Sequence, residues 1–263
     1  MTRPTELVVA KMHGAANDFC VVAAAPPASP DDATLVRALA DRRRGIGGDG
    51  VLFVQPEGTD AVRMHFYNRD GGRAGLCLNG SRCVALYSVL EGWTADALSI
   101  RTEHQAVGAT VVERVDRRAV VRLDVDAPRA APEWIAIPGG GRGARVHTGD
   151  PHLVVEVDLP TIEGDFEAAA RTLRHWEGLG PEGANVHFVH RGADTWTIRS
   201  FERGVEAETL ACGSGCISAA AALAESPVDL RTRGGAVLRV DPCDDRWALT
   251  GPAERVFVTE WRP

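Results

Sequence analysis

The sequence lacks the features that direct a chain to a membrane or to nucleic acid. None of its apolar stretches approaches the length that spans a bilayer, and its opening residues lack a charged segment followed by an apolar one. Its formal net charge of −7 is spread along the 263 residues without acidic or basic blocks. We therefore expect a cytoplasmic protein with no membrane or nucleic acid partner, whose ligand is a small molecule.

Lysine is almost absent from the sequence, since Lys11 is the only one. An enzyme that binds pyridoxal phosphate through a Schiff base would have to use this residue, and no phosphate-binding loop accompanies it. Cys212 and Cys216 have a spacing that resembles a zinc site, but no second cysteine pair of comparable spacing and no paired histidines complete it. The sequence therefore predicts neither an organic cofactor nor a metal.

The sequence contains six cysteines, enough to provide reactive thiols. The six cysteines are Cys20, Cys77, Cys83, Cys212, Cys216 and Cys243. In the cytosol we expect all of them to be reduced. Cys20, Cys83 and Cys216 lie in apolar runs and are predicted to pack as small apolar side chains, while Cys243 is predicted to lie in a turn.

The sequence contains two similar halves. HGAANDFCVV, from His13, resembles HTGDPHLVVEV, from His147, and Phe66 precedes Cys77 by eleven residues as Phe201 precedes Cys212. We infer a duplication with an offset of 133 to 135 residues. The predicted domains are 1–122 with 253–263, and 123–252, and the Pro/Gly-rich residues 127–143 are predicted to link them.

Local patterns predict strands in both halves, two helices in the first half and one in the second. Short β-branched runs recur in residues 6–67, and ERVFVTEW is predicted as a last strand that returns to the first domain. Ser29-Pro30-Asp31-Asp32 predicts the start of a helix over TLVRALADR. NGSRCVALYSVL and SGCISAAAALAE predict two further helices. The fold class is therefore α/β (α+β), with two pseudo-symmetric domains.

Cys77 and Cys212 are both predicted at a helix N-terminus, where unpaired N–H groups lower the pKa of a thiol. The N–H groups of the following residues also suit a carboxylate. If the halves pack face to face, both cysteines point into the cleft between them. One thiolate would then remove a proton from a carbon next to a carboxylate, and the other thiol would deliver a proton to the opposite face.

The sequence resembles the diaminopimelate epimerase family over nearly its whole length. The matching motifs are KMHGAANDF, RRRGIGGDGVLFV, FYNRDGG, CLNGSRC, GDPHLVV, GANVHFV, FERGVEAETLACGSG and LTGPAERVFV. The resemblance implies two domains of like fold, each a mostly antiparallel sheet wrapped around a central helix, with the active site between them. It implies that Cys77 and Cys212 convert LL-diaminopimelate to the meso form without a cofactor, in lysine and peptidoglycan precursor synthesis. A homodimer is also compatible with it.

By motif position the resemblance implies a set of substrate-binding residues. They are Asn17, Asn68, Asn185, Glu202, Arg203, Gly213 and Ser214, with His152 near the reacting centre. Leu78, Asn79, Gly80 and Asp150 complete the predicted set. A zwitterionic substrate needs acceptors for its ammonium groups and a fork such as Arg203 for its distal carboxylate.

Two residues depart from the family's usual motifs. Leu78 stands where glycine is usual, and Asp150 stands where asparagine is usual. Both changes could reshape the pocket, so two alternatives stay open. One is a racemase of the same fold that acts on another amino acid, such as histidine, and the other is a non-catalytic protein that binds an amino acid or a metal.

The remaining motifs have plainer interpretations. His13 and His187 are predicted to be structural polar residues. GIGGDG, residues 45–50, fits the dinucleotide-binding pattern but precedes a strand instead of following one, so it is predicted to be a turn near the cleft. The run of arginines over residues 42–44 is predicted to be solvated.

Overall fold

The computed structural model describes residues 6–26, 32–103, 105–242 and 245–262. The chain divides into two compact units, one formed by Met1–Leu123 with Gly251–Pro263 and the other by Asp124–Thr250. The predicted helix cap at residues 29–31 and the predicted turn at Cys243 lie outside the described residues.

The first unit consists of a sheet and two helices. Its strands are β1 (Leu7–Gly14), β2 (Asn17–Val22), β3 (Gly50–Pro56), β4 (Ala61–Asn68), β5 (Arg73–Ala74), β6 (Ala97–Arg101), β7 (Ala106–Val115) and β8 (Arg118–Asp126), the last of which continues into the second unit. Its helices are α1 (Asp32–Ala40) and α2 (Leu78–Leu90). These elements include the predicted strands over residues 6–67 and two of the predicted helices.

The second unit contains more helix between its strands. Its strands are β9 (Glu133–Ala136), β10 (Arg142–His147), β11 (Pro151–Glu156), β12 (Asn185–Arg191), β13 (Trp196–Glu202), β14 (Ala207–Thr209), β15 (Val228–Arg231), β16 (Val237–Asp241) and β17 (Arg246–Trp261), of which β17 continues into the first unit. Its helices are α3 (Leu159–Glu163), α4 (Phe166–Arg174) and α5 (Gly213–Leu223), with a short 3₁₀ turn at Glu177–Leu179.

The two units pair their strands in the same order. In the first, β1–β2 is antiparallel, β2–β3 parallel, β3–β4 and β4–β5 antiparallel, β4–β6 parallel and β6–β7 antiparallel. In the second, the same sequence of pairings joins β10 to β16. The predicted α/β class, with two domains of like topology, is confirmed.

The prediction of a linker over residues 127–143 is wrong. Within this segment β9 forms an antiparallel pair with β10, from Arg142↔Ala136 to Arg145↔Glu133. The Pro and Gly residues lie in the turns around this strand, so the segment belongs to the sheet of the second unit.

Each unit has one almost fully buried helix. Residues 78–88 of α2 are all buried, and α2 contacts β1, β2, β3, β6 and β7. Helix α5 contacts β10, β11, β12 and β16 in the same way. Both helices are packed on nearly all sides, which explains why neither sequence shows an amphipathic pattern. Helix α2 also buries four polar residues, Asn79, Ser81, Arg82 and Ser88.

The other helices cover the outer part of each core. Val36 and Leu39 of α1 pack with Val9 of β1 and Phe53 of β3, whereas Arg37 lies at the surface. In the second unit Phe166 of α4 packs edge-to-face on Phe188 of β12, with ring centroids 5.2 Å apart. In the described part of the chain no helix is long and apolar enough to cross a membrane.

A tight turn joins β1 to β2 and sets the position of Asn17. Ala15 and Ala16 both have positive φ, 55° and 69°, which matches the twist of an antiparallel hairpin. Gly14 lies against the first turn of α2, because a Cβ at this position would lie 2.5 Å from the carbonyl oxygen of Asn79. The hairpin therefore packs directly against the N-terminus of α2.

Candidate active site

Cys77 is the N-cap residue of α2. Its backbone is extended, with φ −132° and ψ 110°, and its sulfur accepts a hydrogen bond from the N–H of Gly80 at 3.4 Å. The side chain is partly exposed. The sequence places small polar residues, Asn79, Gly80 and Ser81, in the first turn, which keeps the N–H groups of the helix start accessible to this sulfur.

Asn17 lies beside the Cys77 sulfur and is itself bonded to Asn79. Asn17 Oδ1 accepts a hydrogen bond from Asn79 Nδ2 at 3.2 Å and lies 3.9 Å from Cys77 Sγ, within reach of a thiol donor. Leu78 is buried as the first residue of α2. Asn68 ends β4 opposite Gly50, so the structure places it beside the loop that precedes β3.

A network of charged residues lies behind Asn17. Arg42 donates to both oxygens of Asp18, at 2.9 and 2.6 Å, and to Asp49 Oδ1 at 2.7 Å. Lys11 Nζ lies 2.6 Å from Asp18 Oδ2 and also donates to the carbonyl of Gly47. Arg42, whose side chain is 52% exposed, is therefore solvated as predicted and also pairs with two carboxylates.

Burial disfavours the ionised form of Asp18. Hydrogen bonds from Arg42 and Lys11 outweigh that cost and lower the pKa of Asp18 to about 2. The carboxylate is therefore charged at neutral pH.

Cys212 is the N-cap residue of α5, with φ −122° and ψ 111°, and its sulfur lies 3.6 Å from Ser214 Oγ. Only 4% of the residue is exposed. Burial, and then the negative charge of Glu202, raise the pKa of Cys212 well above its usual value, more than Ser214 and the N–H of Gly215 lower it. The prediction of a lowered pKa is wrong for this cysteine because desolvation outweighs the helix terminus.

Other predicted residues surround Cys212 within the second unit. Glu202 ends β13 and accepts a hydrogen bond from the hydroxyl of Thr209 on β14. Thr148 Oγ1 donates to the carbonyl of Ser214 at 3.4 Å and lies 3.0 Å from Ser218 Oγ. The loop before β11 is thereby joined to the first turns of α5.

Arg203 is held by two carboxylates and an amide. Its Nη2 lies 2.5 Å from Asp150 Oδ1 and its Nη1 lies 2.8 Å from Glu182 Oε2. Its backbone N–H donates to Asn185 Oδ1 at 2.8 Å. Asn185 is the register partner of His152 on β11, so four predicted site residues lie together here, and Glu182 joins them without having been predicted.

His152 belongs to a buried chain of hydrogen bonds. Its Nδ1 lies 2.8 Å from His187 Nε2, and His187 Nδ1 lies 2.9 Å from Ser200 Oγ. Burial lowers the pKa of His152 to about 3 and that of His187 well below its usual value, so both rings are neutral. His187 also packs against α5, because a Cβ at Gly215 would lie 2.4 Å from its Cε1.

The other described cysteines have no exposed surface. Cys20, Cys83 and Cys216 are fully buried, which confirms their predicted packing role. Burial raises the pKa of Cys20 to about 11. Among the described residues no group of three or more His, Cys, Asp or Glu side chains is arranged to hold a metal ion.

Solved structures with low sequence identity share the fold. A phenazine biosynthesis protein of the PhzF family from Bacillus anthracis is 12% identical, with a TM-score of 0.74 over 99% of this chain and 100% of its own. A hydroxyproline epimerase from Agrobacterium vitis, with bound trans-4-hydroxy-L-proline, is 14% identical, with a TM-score of 0.70 over 100% of this chain and 94% of its own. At these identities the likeness concerns the fold alone.

Closer sequence relatives share one name. The family profile described as diaminopimelate epimerase matches residues 9–128 and 145–256. The diaminopimelate epimerase of Archaeoglobus fulgidus is 36% identical over 270 residues, which cover 94% of this chain and 93% of the relative. That of Xanthomonas oryzae pv. oryzae is 36% identical over 286 residues, 98% of each chain. The chain is therefore an isomerase that belongs to the diaminopimelate epimerase family.

Proposed function

We propose that the protein interconverts LL-diaminopimelate and meso-diaminopimelate without a cofactor, with Cys77 and Cys212 as the acid/base pair. One observation carries this proposal: in two units with the same strand order, the equivalent buried helix begins at a cysteine. A packing role requires neither the repeated cap position nor the polar residues around each sulfur. The proposal extends to the predicted substrate-binding residues and to a role in lysine and peptidoglycan precursor synthesis.

The environments of the two cysteines support different resting states. Cys212 rests as a thiol, because its burial and the charge of Glu202 disfavour the thiolate. Cys77, with the N–H of Gly80 directed at its sulfur, serves as the base. The Cys77 thiolate takes the α-proton and forms an S–H bond, and Cys212 donates its proton to the other face of the carbon and is left as a thiolate. The reverse reaction exchanges the two roles.

The negative charge that develops at the substrate needs donors in place before the reaction. The first-turn N–H groups of α2 and α5 supply fixed dipoles for the α-carboxylate. Glu202 and the carbonyl of Asn17 are acceptors suited to an ammonium group. The guanidinium of Arg203 binds the distal carboxylate of the substrate. In the ligand-free protein this guanidinium is paired with Asp150 and Glu182.

The same contacts favour one alternative, a racemase of another amino acid. Two carboxylates around one guanidinium leave a net negative charge where the family resemblance implies a carboxylate ligand. A substrate with a cationic side chain and no distal carboxylate would fit this charge better. Lysine and protonated histidine are such substrates.

The decisive experiment measures exchange of the α-proton for solvent deuterium. LL-Diaminopimelate, lysine, histidine and glutamate are compared at equal concentration, with no added cofactor. We expect the fastest exchange with LL-diaminopimelate. Faster exchange with lysine or histidine would replace the proposal with the alternative, and binding without exchange would indicate a non-catalytic protein.

Cysteine variants test the acid/base pair. Replacement of Cys77 or Cys212 with alanine should lower turnover by at least about a hundredfold. Cys216→Ala is the matched control, because Cys216 is buried in the same helix as Cys212. Near-native turnover in either of the first two variants would rule out the two-thiol mechanism.

The proposal also includes a homodimer that works in the cytoplasm on a small amino acid, without a nucleic acid or membrane partner. Sedimentation of the purified protein at several concentrations tests its assembly state. A single monomeric species at micromolar concentration, with full activity, would contradict the dimer.

A further inference from the structure

Asp49 is fixed in the loop between α1 and β3. Its backbone N–H donates to the carbonyl of Asp18 at 2.7 Å, and its own carbonyl accepts from the N–H of Arg69 at 3.1 Å. Its carboxylate is held at Oδ1 by Arg42, at 2.7 Å. The other oxygen, Oδ2, accepts from Asn17 Nδ2 at 2.8 Å. Asp49 therefore joins the charged network to a residue beside Cys77.

This contact determines which end of the Asn17 amide faces Cys77. A carboxylate only accepts hydrogen bonds, so the Asn17 amide must direct its NH₂ group at Asp49. The carbonyl oxygen, Oδ1, then points the other way, to its position 3.9 Å from Cys77 Sγ. Turning the amide by half a rotation would set its NH₂ against the sulfur and its oxygen against a carboxylate.

A second charge sets the orientation of the neighbouring amide. Arg82 is fully buried, and its Nη2 donates to Asn79 Oδ1 at 2.7 Å. A guanidinium only donates, so Asn79 must direct its own NH₂ away from Arg82, where it meets Asn17 Oδ1 at 3.2 Å. The carboxylate of Asp49 and, through Asn79, the guanidinium of Arg82 thus require the same orientation of the Asn17 amide.

We propose that Asp49 is a positioning residue that makes the Asn17 side chain an obligate acceptor toward the Cys77 thiol. This rests on the proposed function in so far as Cys77 is taken as one of the acid/base pair. The Cys77 sulfur then has a donor on one side, the N–H of Gly80, and an acceptor on the other, Asn17 Oδ1. Both the thiolate and the thiol have a partner, as a residue that alternately takes and delivers one proton requires.

The test is the isosteric variant Asp49→Asn. Arg42 still donates to position 49, so the new amide turns its oxygen to the guanidinium and its NH₂ to Asn17, with loss of the hydrogen bond that the N–H of Asp18 makes to Oδ2 at 3.3 Å. Asn17 can then keep a hydrogen bond to residue 49 only by turning its oxygen there and its NH₂ to Cys77, with loss of the hydrogen bond from Asn79. A donor in place of an acceptor favours the thiolate, which is the form that reacts with iodoacetamide.

The rate of alkylation of each cysteine in ligand-free protein is measured by peptide mass spectrometry. At pH values low enough to keep Cys77 mainly in its thiol form, we expect Cys77 in Asp49→Asn to react about threefold to tenfold faster than in the wild type, the effect of one hydrogen bond. Cys20 and Cys83 should stay protected as in the wild type, because both are fully buried. An unchanged rate at Cys77, or a parallel rise at Cys20 and Cys83, would overturn the proposal.

Two Arg42 variants separate positioning from loss of an ion pair. Arg42→Gln removes the pairs with Asp18 and Asp49 but leaves an acid next to Asn17, so the rate at Cys77 should stay within about twofold of the wild type. In the double variant Arg42→Gln/Asp49→Asn the guanidinium no longer directs the amide at 49, and the rate should return toward the wild-type value. Equal acceleration in Arg42→Gln would assign the effect to the ion pair.

Alkylation needs no substrate, so this test and that of the proposed function fail separately. Where turnover is measured, Asp49→Asn should lower kcat by about tenfold or less, with KM changed less than kcat. A rise in KM with unchanged kcat would show that Asp49 affects only binding, contrary to the proposal.

Discussion

Arg203 Nη2 lies 2.5 Å from Asp150 Oδ1, so a residue that departs from the family's usual motif contacts the residue that the resemblance assigns to the distal carboxylate. A ligand carboxylate must displace Asp150 before it can bind the guanidinium. We predict that Asp150→Asn lowers KM for LL-diaminopimelate, by up to about fivefold, since more than half of the Asp150 side chain is exposed and such pairs are weak.

Arg203→Ala should instead raise KM by at least about tenfold, because a charge-assisted fork is lost. Glu182→Gln is the control for charge alone, since Glu182 contacts the same guanidinium from a more exposed position. Steady-state kinetics of the three variants measure these effects. If Asp150→Asn were as damaging as Arg203→Ala, Asp150 would have to bind the substrate itself.

Cys77 and Cys212 should differ in reactivity in the ligand-free protein. Cys77 is partly exposed, whereas Cys212 is buried and its pKa is raised, so iodoacetamide at about pH 7.5 should modify Cys77 first. Glu202→Gln removes a charge that raises the pKa of Cys212 and should accelerate its alkylation about threefold or more.

Glu208→Gln is the matched control for this charge. Glu208 lies on β14 and pairs with Arg199, at 2.7 Å, instead of acting on Cys212. Its replacement should leave the alkylation rate of Cys212 unchanged. Modification of Cys212 before Cys77 in the wild type would contradict the assigned resting states.

Asp18 should make the first unit sensitive to acid. Its pKa falls from 3.8 to about 2 on folding, so its contribution is present above about pH 4 and is lost as the pH falls toward 2. The shift corresponds to about 2 kcal/mol. Urea unfolding should therefore show Asp18→Asn to be less stable than the wild type at neutral pH, with the difference closing at about pH 2 to 3.

Asp60→Asn serves as the control, because Asp60 is an exposed acid in the same unit. It should lose no more than about 0.5 kcal/mol at either pH. A constant difference between Asp18→Asn and the wild type from pH 7 to acid would show that the ionised carboxylate is not what stabilises this site.

Gly215 and Gly80 occupy the same position in the first turns of α5 and α2, but their surroundings differ. A Cβ at Gly215 would lie 2.4 Å from the buried ring of His187, whereas a Cβ at Gly80 would meet the methyl groups of Leu52, at 3.2 and 3.3 Å, and the Cβ of Cys77, at 3.5 Å. Alanine gains about 1 kcal/mol in helix propensity at either site. Overpacking against His187 costs about 1 to 3 kcal/mol, so only Gly215→Ala should be clearly destabilised.

Thermal or urea unfolding of the two alanine variants measures this difference. A smaller side chain at position 187 tests whether the His187 ring causes the clash. If it does, Gly215→Ala should be less destabilising in a His187→Ser background. Equal stability of Gly80→Ala and Gly215→Ala would contradict the close packing of His187 on α5.

Elements with a strong local pattern could be predicted from the sequence. The β-branched runs correctly predicted strands. The helices predicted after Cys77 and Cys212 match α2 and α5, with ends that differ by one or two residues. The duplication appeared because both halves preserve the same spacing. The prediction of a linker was wrong because the short strand β9 forms by pairing with β10. The Pro and Gly content of a segment does not indicate such a tertiary contact.

The electrostatics of the site could be predicted only in part. The helix position of Cys212 follows from local sequence, but its raised pKa depends on how completely the fold buries it. Arg42 lies in a run of three identical residues, and only the tertiary structure distinguishes it from its neighbours. Glu182 and Asp49 lie in loops, where neither periodicity nor composition indicates which partner a side chain meets.

The position of strand β17 in the chain affects the order in which the two units can fold during translation. It pairs with β1, from Leu7↔Trp261 to His13↔Glu254, so the first unit combines residues made before the second unit with residues made after it. The second unit, a continuous segment, is fully synthesised before them. At typical rates of synthesis, β1 exposes an unpaired edge for roughly ten seconds or more while the nascent chain grows. The first unit therefore completes its sheet only after the whole of the second unit has been synthesised.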